Sequence, residues 1–262
     1  MKSETILETL GYKKYELDEM VSYFKSDKSS KETFSSDIIN GLKQKQKILH
    51  PKYFYDDVGS KLFEQICELD EYYLTRSEIE ILESFHEKLS IHLVNEYNLI
   101  ELGSGSSYKT KFILDILHRK QDNVEYFPID ISNILKHSIG HLSTDYDKLK
   151  IIGIIDTYEH GLRFVKQYQN KKNLVMFLGS SFGNFMPDEG KIFLKNISES
   201  MKSGDLFLIG LDLKKDAQIL EDAYNDSNGV TGKFNLNILS RINTELDANF
   251  DLGKFEHDSI FN

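Results

Sequence analysis

At residues 98–111 the chain reads Asn98-Leu99-Ile100-Glu101-Leu102-Gly103-Ser104-Gly105-Ser106-Ser107-Tyr108-Lys109-Thr110-Lys111. An apolar run leads into two glycines, and apolar residues with helical spacing follow from position 112. This order predicts a buried strand, a glycine-rich turn and a helix. Gly103 and Gly105 lack Cβ atoms where the backbone must bend sharply, so a ligand could approach the main chain there. The turn is therefore a candidate binding site, although a tight strand-to-helix turn without a ligand has the same pattern.

The two glycines alone do not make a dinucleotide site. The pattern Gly-x-Gly-x-x-Gly would place a third glycine at position 108, where this chain has Tyr108. A pyrophosphate ligand, and with it a nicotinamide-dependent dehydrogenase, is therefore disfavoured. Glu101, two residues before Gly103, makes the pattern more specific than Gly-x-Gly alone.

From residue 98 onward, apolar strand-like runs alternate with helical patterns, which predicts a doubly wound, mostly parallel α/β sheet of the Rossmann-like type. The predicted strands cover residues 98–102, 125–129, 150–155, 173–178 and 206–211. Each is followed by a polar residue or a glycine, and the carboxyl ends of parallel strands form the ligand-binding edge of such a sheet. Asp130 is placed to accept hydrogen bonds from ribose hydroxyls, or alternatively to cap the next helix. Asp156 could receive an adenine amino group.

The other regions have helical patterns. We predict accessory helices over residues 1–33, with a Lys/Ser-rich linker at their end, and a helical substrate-side region over 34–97. The Rossmann-like core spans 98–213, and a helical substrate-binding insertion spans 214–262. Ser60 and Thr75 are predicted helix caps, the latter in a capping box with Glu78. The adjacent Tyr72 and Tyr73 predict either a packed loop or a ligand wall.

Composition restricts the function further. The 262 residues carry a net charge of −10, so nucleic acid and anionic membranes are poor partners. The N-terminus lacks a signal-peptide pattern and no apolar run is long enough to span a bilayer, so we predict a cytoplasmic protein. The single cysteine, Cys67, excludes an internal disulfide. The eight histidines are scattered without metal-ligand spacing, and we predict no metal site.

Several separate runs together resemble one family, the S-adenosylmethionine (SAM)-dependent histidine-specific methyltransferases. The resemblance covers roughly residues 34–262, in order and at similar spacing. The matching runs are 51–60, 71–76, 177–184, 222–226 with 234–237, and 250–252 with 255–257.

The resemblance implies methyl transfer from SAM to the α-amino group of an amino acid, with L-histidine as the first candidate. It places Gly103, Gly105 and Lys109 at the methionine part of SAM, Asp130 at the ribose and Asp156 at the adenine. The residues that complete the implied cofactor set are Glu101, Gly179 and Ser180. The implied substrate set is Tyr72, Asn184 and Tyr224, with the last two at the substrate carboxylate.

One departure from the family affects substrate choice. Family members continue past the Phe255-Glu256-His257 run with the last two strands of the sheet and the residues that hold the imidazole. We therefore expect a second chain or a second copy to complete the sheet, unless the sequence is truncated. The alternatives to histidine methylation are an N-methyltransferase acting on another amine and a non-catalytic SAM-binding subunit.

Overall fold

The computed structural model describes residues 11–26, 30–166 and 171–261, and these form two compact units. The sheet unit contains residues 11–26, 76–166 and 171–212, and the helical unit contains residues 30–75 and 213–261. The division at 212/213 lies one residue from the predicted boundary. Residues 76–97, which we assigned to the substrate-side region, group with the sheet.

Seven strands and nine α-helices are found in the described ranges. The strands are β1 (Tyr12–Glu16), β2 (Val21–Ser26), β3 (Tyr97–Leu102), β4 (Val124–Asp130), β5 (Leu149–Ile155), β6 (Lys172–Phe177) and β7 (Leu206–Ile209). The helices are α1 (Ser30–Lys43), α2 (Asp57–Cys67), α3 (Tyr73–His92), α4 (Thr110–His118), α5 (Ile134–Asp145), α6 (Tyr158–Val165), α7 (Pro187–Ser200), α8 (Ala217–Ala223) and α9 (Val230–Leu246). Short 3₁₀ helices span Pro51–Phe54, Ser181–Asn184 and Leu252–Lys254.

The sheet has the strand order β1-β2-β5-β4-β3-β6-β7. All neighbouring strands are parallel except β1, which is antiparallel to β2. The chain winds outward from β3 in both directions, which confirms the predicted doubly wound α/β fold. Each of the five predicted strands lies within two residues of its expected bounds.

Alternate residues of the central strands enter two separate cores. Leu99 and Tyr126 pack on one face, where the buried residues of α3, α4 and α5 also lie. Ile100 and Phe127 pack on the other face with residues of α6 and α7. Because successive side chains of a strand point to opposite faces, helices on both faces bury nearly every residue of β3, β4 and β5.

The prediction of N-terminal helices is wrong for residues 12–26, which form the β1–β2 hairpin instead. β2 pairs in parallel with β5, so Tyr23 and Phe24 are buried against the sheet. Leu17 and Met20, which would lie on the apolar face of the predicted helix, are exposed between the strands. Pairing with the edge of β5 therefore decided the conformation of this segment, against its local helical pattern. The predictions for residues 1–10 and 27–29 lie outside the described residues.

The helical unit has two adjoining apolar clusters. One joins α1 to the 3₁₀ helix Pro51–Phe54 and to α9 through Phe34, Tyr53 and Ile238. The other joins α2 to α8 and α9 through Ile66, Ala223 and Phe234.

Both predicted helix caps are wrong. Asp56 caps α2 by accepting a hydrogen bond from the Gly59 amide at 2.7 Å, and Ser60 lies inside the helix. α3 begins at Tyr73, so Thr75 is already helical, and the Glu78 carboxylate bonds elsewhere. Within the described ranges, no helix has the length and apolar character needed to cross a membrane.

Candidate active site

The glycine-rich turn follows the carboxyl end of β3, and three of its residues have positive φ angles. Gly103 has φ +75°, Gly105 has φ +50° and Ser107 has φ +58°. A Cβ at residue 103 would lie 3.0 Å from the Tyr158 hydroxyl oxygen, whereas no atom of the described residues lies within 4 Å of a Cβ at 105. The turn therefore combines an accessible main chain with open space beside Gly105, and this fits a ligand lying across it.

Asp130 connects this turn to the end of β4. Its carboxylate accepts hydrogen bonds from the Gly105 amide at 3.1 Å and from the amide and hydroxyl of Ser132, each at 2.8 Å. The residue is only 8% exposed, and burial raises the pKa of its carboxyl above the ordinary value. The N-cap residue of α5 is Asn133, so Asp130 does not cap that helix. Asp130 thus holds the glycine turn, with its charge at the carboxyl edge of the sheet.

Glu101 lies beneath the same turn. One oxygen of its buried carboxyl, Oε2, accepts hydrogen bonds from Thr110 Oγ1 at 2.7 Å and from the Tyr126 hydroxyl. Burial raises the pKa of this carboxyl to about 7, although both hydrogen bonds act in the opposite direction. These contacts tie the end of β3 to the first residue of α4 and so fix the two ends of the turn.

Asp156, at the end of β5, is held by a residue that the sequence analysis missed. The Tyr12 hydroxyl donates to its Oδ2 at 2.6 Å, and the Thr157 amide donates to Oδ1 at 2.7 Å. His160 Nδ1 lies 3.0 Å from Oδ1. Tyr12 reaches this edge because β1 pairs with β2 beside β5, a placement that local sequence does not indicate.

Glu78, to which the sequence analysis gave only a capping role, connects the segment after the glycine turn to the segment after β6. The Gly179 amide donates to both of its carboxylate oxygens at 2.9 Å, and Lys109 forms an ion pair with Oε2. A Cβ at Gly210, just after β7, would lie 2.0 Å from Oε1. One signal could have revealed it: Glu78 is four residues before the buried Leu82, so an acidic residue shares a helix face with the core.

The segment that follows β6 also has positive φ angles. Gly179 has φ +77° and Ser180 has φ +55°. The Ser180 hydroxyl accepts a hydrogen bond from the Asp212 amide at 3.0 Å, which links the segments that follow β6 and β7. Asn184 ends the next 3₁₀ helix with its side chain exposed. Polar groups therefore follow β6 at the same edge of the sheet as the glycine turn.

In the helical unit the structure brings Tyr72 and Tyr224 together. Their rings meet edge to face, with centroids 5.8 Å apart, and Tyr224 is 43% exposed whereas Tyr72 is buried. Glu71 accepts hydrogen bonds from the amide and hydroxyl of Ser227, at 3.1 and 2.8 Å. Lys215 donates to the Tyr73 hydroxyl at 2.9 Å. Three consecutive residues at the start of α3 are thus attached to the segments that precede and follow α8.

His257 supports the Tyr224 backbone. Its Nε2 donates to the Tyr224 carbonyl oxygen at 2.7 Å, and the side-chain nitrogen Nδ2 of Asn235 lies 3.1 Å from its Nδ1. A neutral imidazole with its hydrogen on Nε2 satisfies both contacts. The sequence analysis used His257 only as part of a matching run and did not assign it this role.

Comparison with known proteins shows the family. The model of the family described as "Histidine-specific methyltransferase, SAM-dependent" matches residues 34–262. The histidine N-alpha-methyltransferase of Mycobacterium tuberculosis is 38% identical over 227 residues, which are 86% of this chain and 70% of that protein. Its namesake in Mycolicibacterium smegmatis is 37% identical over 244 residues, covering 93% and 75%.

A third relative is the ergothioneine biosynthesis protein 1 of Schizosaccharomyces pombe. It is 31% identical over 217 residues, which are 79% of this chain and 28% of that protein. The family match and the bacterial relatives confirm the resemblance drawn from the separate runs. The chain belongs to the family of histidine-specific, SAM-dependent methyltransferases.

Proposed function

We propose that this protein transfers methyl groups from SAM to the α-amino group of L-histidine. The observation that carries the proposal is the match over residues 34–262, together with two relatives named histidine N-alpha-methyltransferase. The cytoplasmic location predicted from the sequence stays a prediction.

The sheet unit supplies groups that suit SAM. When bound, SAM supplies a methyl group on a positively charged sulfur, so the protein needs no covalent nucleophile. The open turn at Gly103 and Gly105 can accept the amino-acid part of SAM against the main chain, with Lys109 as the cation for its carboxylate. Asp130 would accept hydrogen bonds from the ribose hydroxyls, and Asp156 from the adenine amino group. The remaining proposed cofactor residues act through the backbone that surrounds these groups: Glu101, Gly179 and Ser180.

The proposed substrate residues are uncharged. Tyr72 and Tyr224 offer hydroxyl groups in the helical unit, and Asn184 offers an amide in the sheet unit. An amine attacks only when it is neutral, and a fixed carboxylate beside it would favour the protonated form. Neutral partners can orient the amino acid without raising the pKa of its amine, which leaves orientation and exclusion of water as the main tasks.

The direct test is incubation of the full chain with SAM and L-histidine. Mass spectrometry should detect histidine carrying added methyl groups, together with S-adenosylhomocysteine. Tyr224→Phe should lower the rate with the same product, whereas Tyr108→Phe, at an exposed tyrosine outside the proposed substrate set, serves as the matched control. If S-adenosylhomocysteine binds but histidine is not methylated, the proposed substrate is wrong, and a panel of other amines distinguishes another acceptor from a non-catalytic subunit.

His257→Leu should raise the KM for L-histidine by about fivefold with little change in kcat. The substitution removes the hydrogen bond to the Tyr224 carbonyl oxygen, whose net contribution is about 1 kcal/mol. Steady-state kinetics measure both constants, and His92→Gln is the control because His92 is exposed near the end of α3. Because the proposed role concerns only the substrate residue, a rise in the KM for SAM of equal size would contradict it.

We also propose that a strand from a second copy of this chain extends the sheet beside β7. Among the described residues β7 is the outermost strand on its side of the sheet. Its four residues are only half-buried, and Leu211 just beyond it is 56% exposed. An open edge of this kind offers unpaired backbone groups to a further strand. Light scattering of the protein with S-adenosylhomocysteine should give the mass of a dimer, and a stable monomer that turns over histidine would contradict the proposal.

A further inference from the structure

We propose that Glu78 is a positioning residue for the methyl donor. It holds the Lys109 ammonium group and the Gly179 amide at the place where the amino-acid part of SAM binds. The inference rests on the proposed function and deepens it, because it assigns a role to a carboxylate that touches proposed cofactor residues.

Glu78 bonds to two separate parts of the sheet unit and lies beside a third. Lys109 precedes α4 and follows the glycine turn, Gly179 follows β6, and Gly210 follows β7. Both carboxylate oxygens are engaged, and the space over Gly210 is filled by Oε1, because a Cβ there would lie 2.0 Å away. The side chain is therefore confined to one position, and it fixes the groups around it in turn.

The electrostatics favour a functional role over a stabilising one. The side chains of Glu78 and Lys109 are only 13% and 24% exposed. Removing two charges from water costs free energy that their attraction often fails to recover, so an ion pair of this kind is a poor choice for stability alone. For a lysine that binds an anionic ligand, however, such an ion pair increases affinity, because it orders the flexible side chain before the ligand binds.

Glu78 also presents an acceptor to the Gly179 amide, where the backbone has φ +77°. With both groups fixed by one carboxylate, the end of β6 and the glycine turn keep a constant spacing. Loss of the charge should therefore affect the part of the donor that meets Lys109, and leave the nucleoside part unaffected.

The test compares two ligands that differ in the amino-acid part. S-adenosylhomocysteine carries it, and methylthioadenosine lacks it. In isothermal titrations of the full chain, Glu78→Gln should raise the Kd for S-adenosylhomocysteine about tenfold, the effect of one charge-assisted contact, and change the Kd for methylthioadenosine by less than about twofold. Glu80→Gln, at an exposed position on the same helix, should change neither.

A double-mutant cycle tests whether Glu78 acts through Lys109. In the Lys109→Met background, Glu78→Gln should weaken S-adenosylhomocysteine binding by less than about threefold further, because the group it positions is gone. Equal weakening of both ligands by Glu78→Gln would indicate a structural role and overturn the proposal, as would no weakening of either. If the unaltered protein binds neither ligand, the proposed function itself fails, which is a different result from a failure at Glu78.

Discussion

Asp130→Asn should weaken the binding of S-adenosylhomocysteine by about 100-fold. The carboxylate accepts hydrogen bonds from the Gly105 amide and from the amide and hydroxyl of Ser132. An asparagine has one oxygen and one NH₂ group, so in either orientation its NH₂ group faces a donor. Loss of a charge-assisted bond, together with a buried donor left unpaired, destabilises this conformation of the turn by about 3 kcal/mol. Because the ligand binds to this conformation, its binding must then supply the same free energy, which corresponds to the expected decrease in affinity.

The measurement needs a check that the fold survives. Thermal unfolding and the circular dichroism spectrum should show that Asp130→Asn is folded at the temperature of the titration. Asp122→Asn, at an exposed position before β4, should leave the affinity unchanged. An Asp130→Asn protein that binds S-adenosylhomocysteine like the unaltered chain would show that the carboxylate neither holds the turn nor reaches the ribose.

The core of the fold could be predicted because its information is local. The runs that became β3, β4 and β5 are mostly apolar and are bounded by a glycine or an acidic residue, so their approximate bounds and their ligand-facing ends follow from the sequence. The glycine turn is equally local, since three positive φ values within five residues need glycines at two of them. The acidic residues at the strand ends follow from the topology once the strands are parallel.

The parts that could not be predicted depend on distant partners. Residues 12–26 have a spacing that fits either a helix or a hairpin, and the edge of β5 decides between them. Tyr12 is 144 residues from Asp156, and Glu78 is 101 residues from Gly179. A pattern read within one segment cannot show such contacts. Glu78 in particular has a plausible local role as a helix cap, and the structure replaces it with a long-range one.

Raising the pH from 4.5 to about 7 should destabilise the protein through the titration of Glu101. Burial raises the pKa of this carboxyl from 4.5 to about 7 in the folded protein, so the folded state binds the proton more tightly than the unfolded chain. The stabilising contribution is complete below pH 4.5 and is lost as the pH rises through about 7. The interval between these two pKa values corresponds to about 3 kcal/mol in the free energy of unfolding.

Glu101→Gln isolates this contribution from the other titrating groups. Both observed donors, Thr110 Oγ1 and the Tyr126 hydroxyl, reach the same carboxyl oxygen, so the amide oxygen of glutamine can accept from both while the side chain stays neutral. Urea unfolding of both proteins at several pH values between 4.5 and 8.5 should show the unaltered chain losing about 3 kcal/mol relative to the variant. Glu80→Gln should show no such difference. Parallel stability curves for Glu101→Gln and the unaltered chain would mean that folding does not raise the pKa of Glu101. The glycine turn would then close over a charged carboxylate at neutral pH.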